Sequence, residues 1–166
     1  MSSATVAAIP LAAQFLQTFD FEHRITMSVL RALPPDRLDF KPHERSWTGR
    51  ELAWHIATSQ YGLAAAVAAG RLELENPPAA PAALQEIVSG CETYYQQACE
   101  LIARLTEEQL RVKIDLPGGK HIPAAALLWS GVLFHQIHHR GQLSIYIRLM
   151  GGRVPSIYGP SGDDTR

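Results

Sequence analysis

The chain has 166 residues, a length typical of one domain that can bury a substantial core without disulfides or a structural metal. Lys and Arg number 15, Asp and Glu number 16, and the formal net charge is −1. No cluster of basic residues is dense enough to follow a phosphate backbone, so nucleic-acid binding is disfavoured. We expect one domain over residues 1–166.

Three further features predict a soluble, cytoplasmic protein. Cys91 and Cys99 are eight residues apart in a helical pattern, or about 12 Å, which is beyond disulfide reach and indicates reduced thiols. The N-terminus lacks a basic start and Pro10 interrupts its apolar residues, so no secretory signal is expected. The uncharged stretch Ile122–Phe134 is too short to span a bilayer, which disfavours a membrane protein.

The first predicted helix ends at Pro34 and Pro35, which cannot continue it. Its apolar residues recur at helical spacing: Leu11, Phe15, Leu16, Phe19, Met27, Leu30 and Leu33. His23 lies on this apolar side. No other possible metal ligand lies at ligand spacing from it in the sequence. It is therefore interpreted as a core histidine or as a residue that supports the ligands of a metal site without binding the metal itself.

A polar, proline-containing loop, 34–49, leads to a second helix from about Arg50 to Ala69. Ser46 or Thr48 can cap this helix, and Glu51, three residues after Thr48, makes a capping box plausible. His55 falls on the packed face of the helix. That face is predicted to contain Leu52, His55, Ile56, Ser59, Gly62, Leu63 and Ala66.

A proline-rich linker precedes a third helix, predicted from about Ala82 to Leu105, that carries no cluster of possible ligands. Residues 106–110 resemble a short capped turn. The next segment, 112–122, has Pro117-Gly118-Gly119 between short apolar runs, which predicts a small hairpin or extended loop.

The fourth helix, predicted from Pro123 to Met150, combines an apolar run with the polar cluster His135-Gln136-Ile137-His138-His139-Arg140-Gly141-Gln142. At 100° per residue one stripe holds Leu128, Gly131, His135, His139, Gln142 and Tyr146. Residues at i and i+4 have Cβ atoms about 5–6 Å apart. His135 and His139 can therefore share a metal ion, or each can be a core histidine with its own hydrogen-bond partner.

The fourth helix carries only Arg140 and Arg148 as full charges, so most of its circumference should be covered. A dimer partner can cover it, and so can the hairpin segment together with the glycine- and proline-rich tail, 151–160, which is predicted to fold back. Four long helices with two sizeable connections predict an all-α, four-helix bundle.

Three inward histidines on two helices favour a metal site over unrelated core histidines. Three protein ligands leave at least one position open, which is typical of a catalytic site. His138 lies about 60° from His135 around the helix and is predicted to flank the site. Gln142 is predicted either to orient a ligand imidazole or a bound water, or to bond backbone.

Three segments together resemble the DinB-like family of bacterial metalloenzymes. They are Glu51-Leu52-Ala53-Trp54-His55-Ile56-Ala57, the cluster 135–142, and the tail Gly152-Arg153-Val154-Pro155-Ser156-Ile157-Tyr158-Gly159-Pro160-Ser161. The resemblance implies up-down-down-up helix topology and a homodimer. It also implies a divalent metal, zinc or nickel, held by the residues here numbered His55, His135 and His139. Tyr158, in the tail motif, is predicted to cap the site or to secure the tail.

Members of that family include isomerases and transferases that use low-molecular-weight thiols such as mycothiol or bacillithiol. The resemblance therefore implies a metal-dependent enzyme that transfers a small thiol or hydrolyses a small substrate, with the metal lowering the pKa of bound thiol or water. No carboxylate adjoins the three histidines in sequence, so no general base or other catalytic residue is identified. A non-catalytic dimeric bundle with a structural metal, and a stress-linked protein that binds a small ligand, remain the alternatives.

Overall fold

The computed structural model describes residues 10–73 and 76–164, so most of the N-terminal stretch considered for a secretory signal lies outside the described residues. Three long helices are α1 (Leu11–Arg31), α2 (Gly49–Ala69) and α3 (Leu84–Ala103). The fourth, called here the C-terminal helix, consists of α5 (Ala124–Leu127), a π-helical segment (Leu128–Phe134) and α6 (His135–Leu149). The predicted all-α, four-helix bundle is confirmed.

Local sequence signals explain both ends of α2. The Glu51 backbone N–H donates to Thr48 Oγ1 at 3.1 Å, and the Thr48 backbone N–H donates to Glu51 Oε2 at 2.8 Å. This is the predicted capping box, with Thr48 as the cap. Gly70 ends the helix at φ 70°, a left-handed conformation that glycine adopts without steric cost.

Two apolar clusters fill the two ends of the bundle and fix the directions of the helices. The first cluster joins the end of α1 and the end of the C-terminal helix to the beginnings of α2 and α3; it includes Leu30, Ile147, Leu52 and Ile87. The second joins the opposite ends, and includes Phe15, Val132, Val67 and Ile102. Consequently α1 and the C-terminal helix run one way and α2 and α3 the other, which is up-down-down-up topology.

Each helix packs against two neighbours: α1 and α2 both contact α3 and the C-terminal helix. The connections 32–48 and 104–123 therefore cross the bundle diagonally. The first contains a 3-10 turn (Pro35–Arg37). The second contains a short capped helix, α4 (Glu107–Arg111), and the antiparallel hairpin β1 (Lys113–Leu116) and β2 (Lys120–Pro123), as predicted. Gly118 and Gly119 make the hairpin turn with φ of 81° and 74°.

The π-helical segment corrects the prediction of an uninterrupted α-helix from Pro123 to Met150. The His135 backbone N–H bonds to the Ser130 carbonyl, five residues earlier. The wider turn changes the angular position of every residue that follows it, and such segments are frequent at functional sites. The predicted stripe is therefore not evenly buried: Leu128 is fully buried, whereas Gln142 is exposed.

The most deeply buried face of α6 is formed by Gln136, Arg140, Leu143 and Ile147, and the histidine stripe lies at its edge. The tail folds back as expected, with Val154 buried. Neither the tail nor the hairpin covers the opposite face, called here the exposed face. It presents Phe134, Ile145 and Leu149, which are 57%, 57% and 54% exposed.

No described helix has an apolar stretch long enough to cross a membrane. Cys91 is buried and Cys99 is half-buried, and both are free thiols. Burial raises the pKa of the Cys91 thiol to about 12, so its reactive thiolate form is suppressed.

Candidate metal centre

The structure brings together three histidines, one from α2 and two from α6. His135 Nε2 lies 3.3 Å from His55 Nε2 and 3.0 Å from His139 Nε2. One ligand nitrogen from each ring lies within 4.8 Å of the other two, and no other such group of three possible ligands occurs among the described residues. We call these three residues the histidine cluster.

Hydrogen bonding alone leaves the histidine cluster unsatisfied. A neutral imidazole has one protonated nitrogen and one nitrogen with a single lone pair. His135 Nε2 faces two other Nε2 atoms, so its lone pair cannot accept well-aligned bonds from both. Its other nitrogen, Nδ1, is buried and has no hydrogen-bond partner among the described residues. A cation shared by the three Nε2 atoms would remove the conflict at Nε2, although it would not give Nδ1 a partner.

The spacing of the three Nε2 atoms also fits a metal ion. Zinc–imidazole bonds of about 2.0–2.1 Å at tetrahedral angles put two ligand nitrogens about 3.3 Å apart. The observed separations of 3.0 and 3.3 Å are close to that value. Three neutral nitrogen donors suit zinc, nickel, copper or iron better than magnesium or calcium, which prefer oxygen.

Two neighbouring side chains support the cluster. His139 Nδ1 lies 2.8 Å from Gln142 Oε1, which can only accept, so His139 donates from Nδ1 and its Nε2 keeps a free lone pair. Trp47 covers the cluster from the loop before α2, with its ring centroid 4.6 Å from that of His55 and 5.9 Å from that of His139. The Trp47 carbonyl accepts a bond from Tyr146 Oη at 3.1 Å, which fixes this loop to α6.

Burial keeps the histidine cluster neutral at ordinary pH. Desolvation, followed by repulsion from His139, lowers the pKa of His55 to about 4. Desolvation and the three neighbouring histidines lower the pKa of His135 to about 4. The pKa of His139 is also lowered, mainly by burial, although the Gln142 hydrogen bond opposes the shift. Neutral imidazole is the form that binds metal.

The other predicted residues lie elsewhere. His138 is exposed, and its ring touches only the edge of the site, 4.9 Å from the His139 ring. His23 is buried between α1 and α3, where it stacks on Tyr95 with centroids 3.6 Å apart and its Nε2 lies 3.2 Å from Glu92 Oε2. Burial lowers its pKa.

Tyr158 belongs to a second polar group, called here the arginine cluster, which the sequence analysis did not identify. Arg140, 1% exposed, pairs with Glu22 at 2.7 Å and donates to Tyr158 Oη at 2.5 Å. Tyr158 Oη donates in turn to Glu22 at 2.7 Å. The sequence contains a signal for this cluster: Glu22 lies on the apolar side of α1, and Arg140 is one of only two full charges in the C-terminal helix.

Two cavities reach the histidine cluster from different sides. The larger, about 880 Å³ and called here the α2 groove, is lined in part by His55 and His135. The smaller, about 470 Å³, is lined in part by His139, Gln142, Arg45 and Trp47. A metal at the cluster would therefore be accessible to small molecules from two directions.

Comparison with known proteins identifies relatives along the whole chain. The sequence profile of the DinB family matches residues 1–165. YjoA of Bacillus subtilis, an uncharacterized protein, is 30% identical over 141 residues, which are 83% of this chain and 90% of YjoA. The crystal structure of YjoA aligns over 83% of this chain and 92% of its own with a TM-score of 0.68 and 29% identity.

Two further solved structures share the fold. A DinB-like protein from Bacillus cereus aligns over 87% of this chain and 95% of its own, with 26% identity and a TM-score of 0.73. YfiT from Bacillus subtilis, described as a probable metal-dependent hydrolase with an unusual four-helix bundle topology, aligns over 91% of this chain and 94% of its own. Its identity is 14% and its TM-score 0.68, so this likeness concerns the fold.

Proposed function

This chain belongs to the DinB family, and we propose that His55, His135 and His139 bind a catalytic divalent metal ion, zinc or nickel. The observation that carries the proposal is the convergence of three neutral imidazole nitrogens, 3.0 and 3.3 Å apart, beside two cavities. YfiT, which has the same fold, is described as a probable metal-dependent hydrolase, and this description supports a metal-dependent enzyme here.

A metal in this site would lower the pKa of a small nucleophile, water or thiol, so that it reacts near neutral pH. The three histidines contribute no negative charge, which favours an anionic nucleophile at the open position. Gln142 holds the His139 ring in the metal-binding tautomer. Trp47 packs against the His55 ring and forms part of the wall of the smaller cavity.

The two cavities favour thiol transfer over hydrolysis as the reaction. A hydrolase needs room for one substrate and a water molecule, whereas a transferase must hold a thiol and an electrophile at the same centre. The smaller cavity contains the cation Arg45 and the polar Gln142, which suit a small polar thiol. The α2 groove is larger, and its lining near the histidines is uncharged, which suits the electrophile.

Cobalt(II) substitution tests the open site. Protein purified without a tag is analysed for metal, stripped, loaded with cobalt(II), and titrated with azide or a small thiol. We expect a change in the visible ligand-field spectrum while the helical circular dichroism stays constant. An unchanged spectrum at saturating ligand would indicate a closed, structural site and contradict the enzymatic proposal.

A second measurement separates the two reactions. The metal-loaded protein and the metal-stripped protein are each incubated with activated esters and with an epoxide electrophile, with and without added thiol. Thiol-dependent consumption of the epoxide that is faster with the metal-loaded protein than with the metal-stripped protein supports transfer. Ester cleavage without thiol identifies hydrolysis.

We also propose a homodimer formed through the exposed face. Phe134, Ile145 and Leu149 repeat at helical spacing and are more than half exposed, and contiguous exposed apolar residues mark interaction sites. Light scattering at micromolar concentration should give the dimer mass for the wild type and the monomer mass for Ile145→Lys. A monomeric wild-type protein contradicts this part of the proposal.

A further inference from the structure

We propose that the α2 groove binds the extended, apolar body of a substrate whose reactive group lies at the histidine cluster. The inference rests on the proposed function and adds the class of substrate. The groove volume of about 880 Å³ lies within the range of about 300–1,000 Å³ that is typical of small-molecule sites.

The first argument is the length of the groove. His55, Ser59, Gly62, Ala66 and Ala69 line it at the spacing of one helix face. Ala69 lies fourteen positions after His55, which corresponds to about 21 Å along the helix axis. A linear molecule of several methylene units can follow this length while one end remains at the histidines.

The second argument is the distribution of charge. Among the lining residues that the structure describes, the only formal charges apart from the histidines are Arg71 and Glu73. They pair with each other at 2.9 Å beyond the C-terminal end of α2. The groove between this pair and the histidine cluster therefore provides no free charge for a phosphate or a multiply charged substrate.

The third argument is that the hydroxyl groups near the histidine cluster have already used their protons. Ser130 Oγ donates to the Ala126 carbonyl at 2.8 Å, and Thr58 Oγ1 donates to the Trp54 carbonyl at 3.1 Å. These two side chains therefore present acceptor lone pairs and carbon atoms to the groove, but no hydroxyl donor. Tyr61 and Tyr94, with ring centroids 5.6 Å apart, provide an aromatic wall.

Gly62 offers a way to block the groove with little disturbance to the fold. A Cβ atom added there meets no other atom within 4 Å. Because glycine is less favourable than alanine or phenylalanine inside a helix, substitution should not destabilise α2. Gly62→Phe would place a ring in the groove, and Gly62→Ala is the matched control that changes the backbone preference but adds little volume.

The test measures binding of two series of linear compounds by calorimetry. Alkyl hydroxamates, from acetohydroxamate to decanohydroxamate, have a metal-chelating end, and they are titrated into zinc-loaded protein. Linear alcohols of matched length have no chelating end, and they are titrated into metal-free protein. We expect affinity to rise about fourfold for each added methylene in both series, the value for full burial of a methylene group.

In Gly62→Phe the increase in affinity with chain length should disappear, while acetohydroxamate should bind as in the wild type. Gly62→Ala should keep the increase in affinity with chain length. Affinity that does not depend on chain length in the wild type overturns the inference, and so does a gain that persists in Gly62→Phe. A third outcome is that no hydroxamate binds, but the affinity of the alcohols rises with chain length in the wild type and not in Gly62→Phe. In that case the groove is supported and the proposed metal site is wrong. The two failures are therefore distinguishable.

Discussion

The C-terminal helix carries two polar clusters that differ in how their polar groups are satisfied. In the arginine cluster, Arg140 has a carboxylate, a phenol and a backbone carbonyl as partners, and it is almost fully buried. In the histidine cluster three ring nitrogens face one another, and no carboxylate belongs to the group. A buried cluster whose polar groups are paired fastens elements together, whereas three converging imidazole nitrogens are the arrangement on which the proposed metal site rests.

The two clusters also connect different parts of the chain. The arginine cluster joins α1, α6 and the tail through Glu22, Arg140 and Tyr158, and Gln136 adds a bond to Thr26 at 2.8 Å. The histidine cluster joins only α2 and α6, and both cavities open onto it. We therefore expect substitutions in the first cluster to affect stability and substitutions in the second to affect metal binding.

The largest effect is expected for Arg140→Met. This change leaves Glu22, 6% exposed, without its cation, and breaking a buried ion pair typically costs about 3–5 kcal/mol. Urea denaturation of the metal-free protein measures the free energy of unfolding. Arg24→Met, which breaks an exposed pair with Asp20, is the control and should cost less than about 1 kcal/mol. Equal losses of unfolding free energy in Arg140→Met and Arg24→Met would contradict the expected difference between the buried and the exposed ion pair.

His135→Ala should have the opposite pattern, with a large effect on metal binding and a small effect on stability. Loss of the nitrogen that faces both other ligands should remove most of the bound metal, and the stability of the metal-free protein should change by no more than about 1 kcal/mol. Metal content per folded molecule is measured by elemental analysis. His138→Ala, on an exposed neighbour of the cluster, should keep its metal; full retention in His135→Ala would show that the histidines do not act together.

A smaller effect on metal binding is expected for Gln142→Leu. The side chain does not belong to the cluster but fixes the tautomer of His139, and loss of such a partner typically weakens metal binding by about 10–100-fold. Competition with a chromophoric chelator measures the affinity. Gln142→Glu keeps an acceptor oxygen and should retain most of the affinity. If Gln142 had no such role, neither variant would lose affinity.

Acid should destabilise the metal-free protein through the histidine cluster. His55 and His135 have pKa values of about 4 in the folded state, against about 6.5 in an unfolded chain. Between these values the unfolded state binds more protons, so stability falls as the pH decreases from about 6.5 to about 4. Thermal unfolding across this range should show a shallower decrease in His55→Ala, and identical slopes would contradict the assignment.

The smallest effect is expected for Tyr158→Phe. The hydroxyl links Arg140 to Glu22, but the ion pair between those residues remains, and a single hydrogen bond is worth about 1 kcal/mol. Metal affinity should not change, because Tyr158 contributes to neither cavity. A loss of metal in this variant would instead support the predicted role of Tyr158 as a cap on the site.

Much of the architecture was predictable because its causes are local. Helical spacing of apolar residues, the Thr48 cap, and the glycines at 70, 118 and 119 set the elements within one or two residues of their observed limits. The phase of His55 on one helix and of His135 and His139 on another followed from the same spacing. The resemblance to the DinB family supplied the topology.

Other features depend on contacts between residues far apart in the chain. Glu22 and Arg140 are 118 residues apart, and neither predicts the other, although each is an unusual charge on an apolar face. The position of Trp47 over the histidines depends on how a diagonal loop crosses the bundle. The π-helical segment, which sets the angle of His135 relative to the core, arises inside a run whose spacing reads as ordinary α-helix.

The residue pattern predicted four helices, a hairpin or extended loop, and three histidines on inward faces, because hydrophobic spacing and capping act over a few residues. It did not predict that the three Nε2 atoms meet, that Arg140 has buried partners, or that two cavities reach the cluster. These properties depend on the relative positions of α1, α2 and α6, which follow from side-chain packing across the bundle and leave no periodic trace in any single segment.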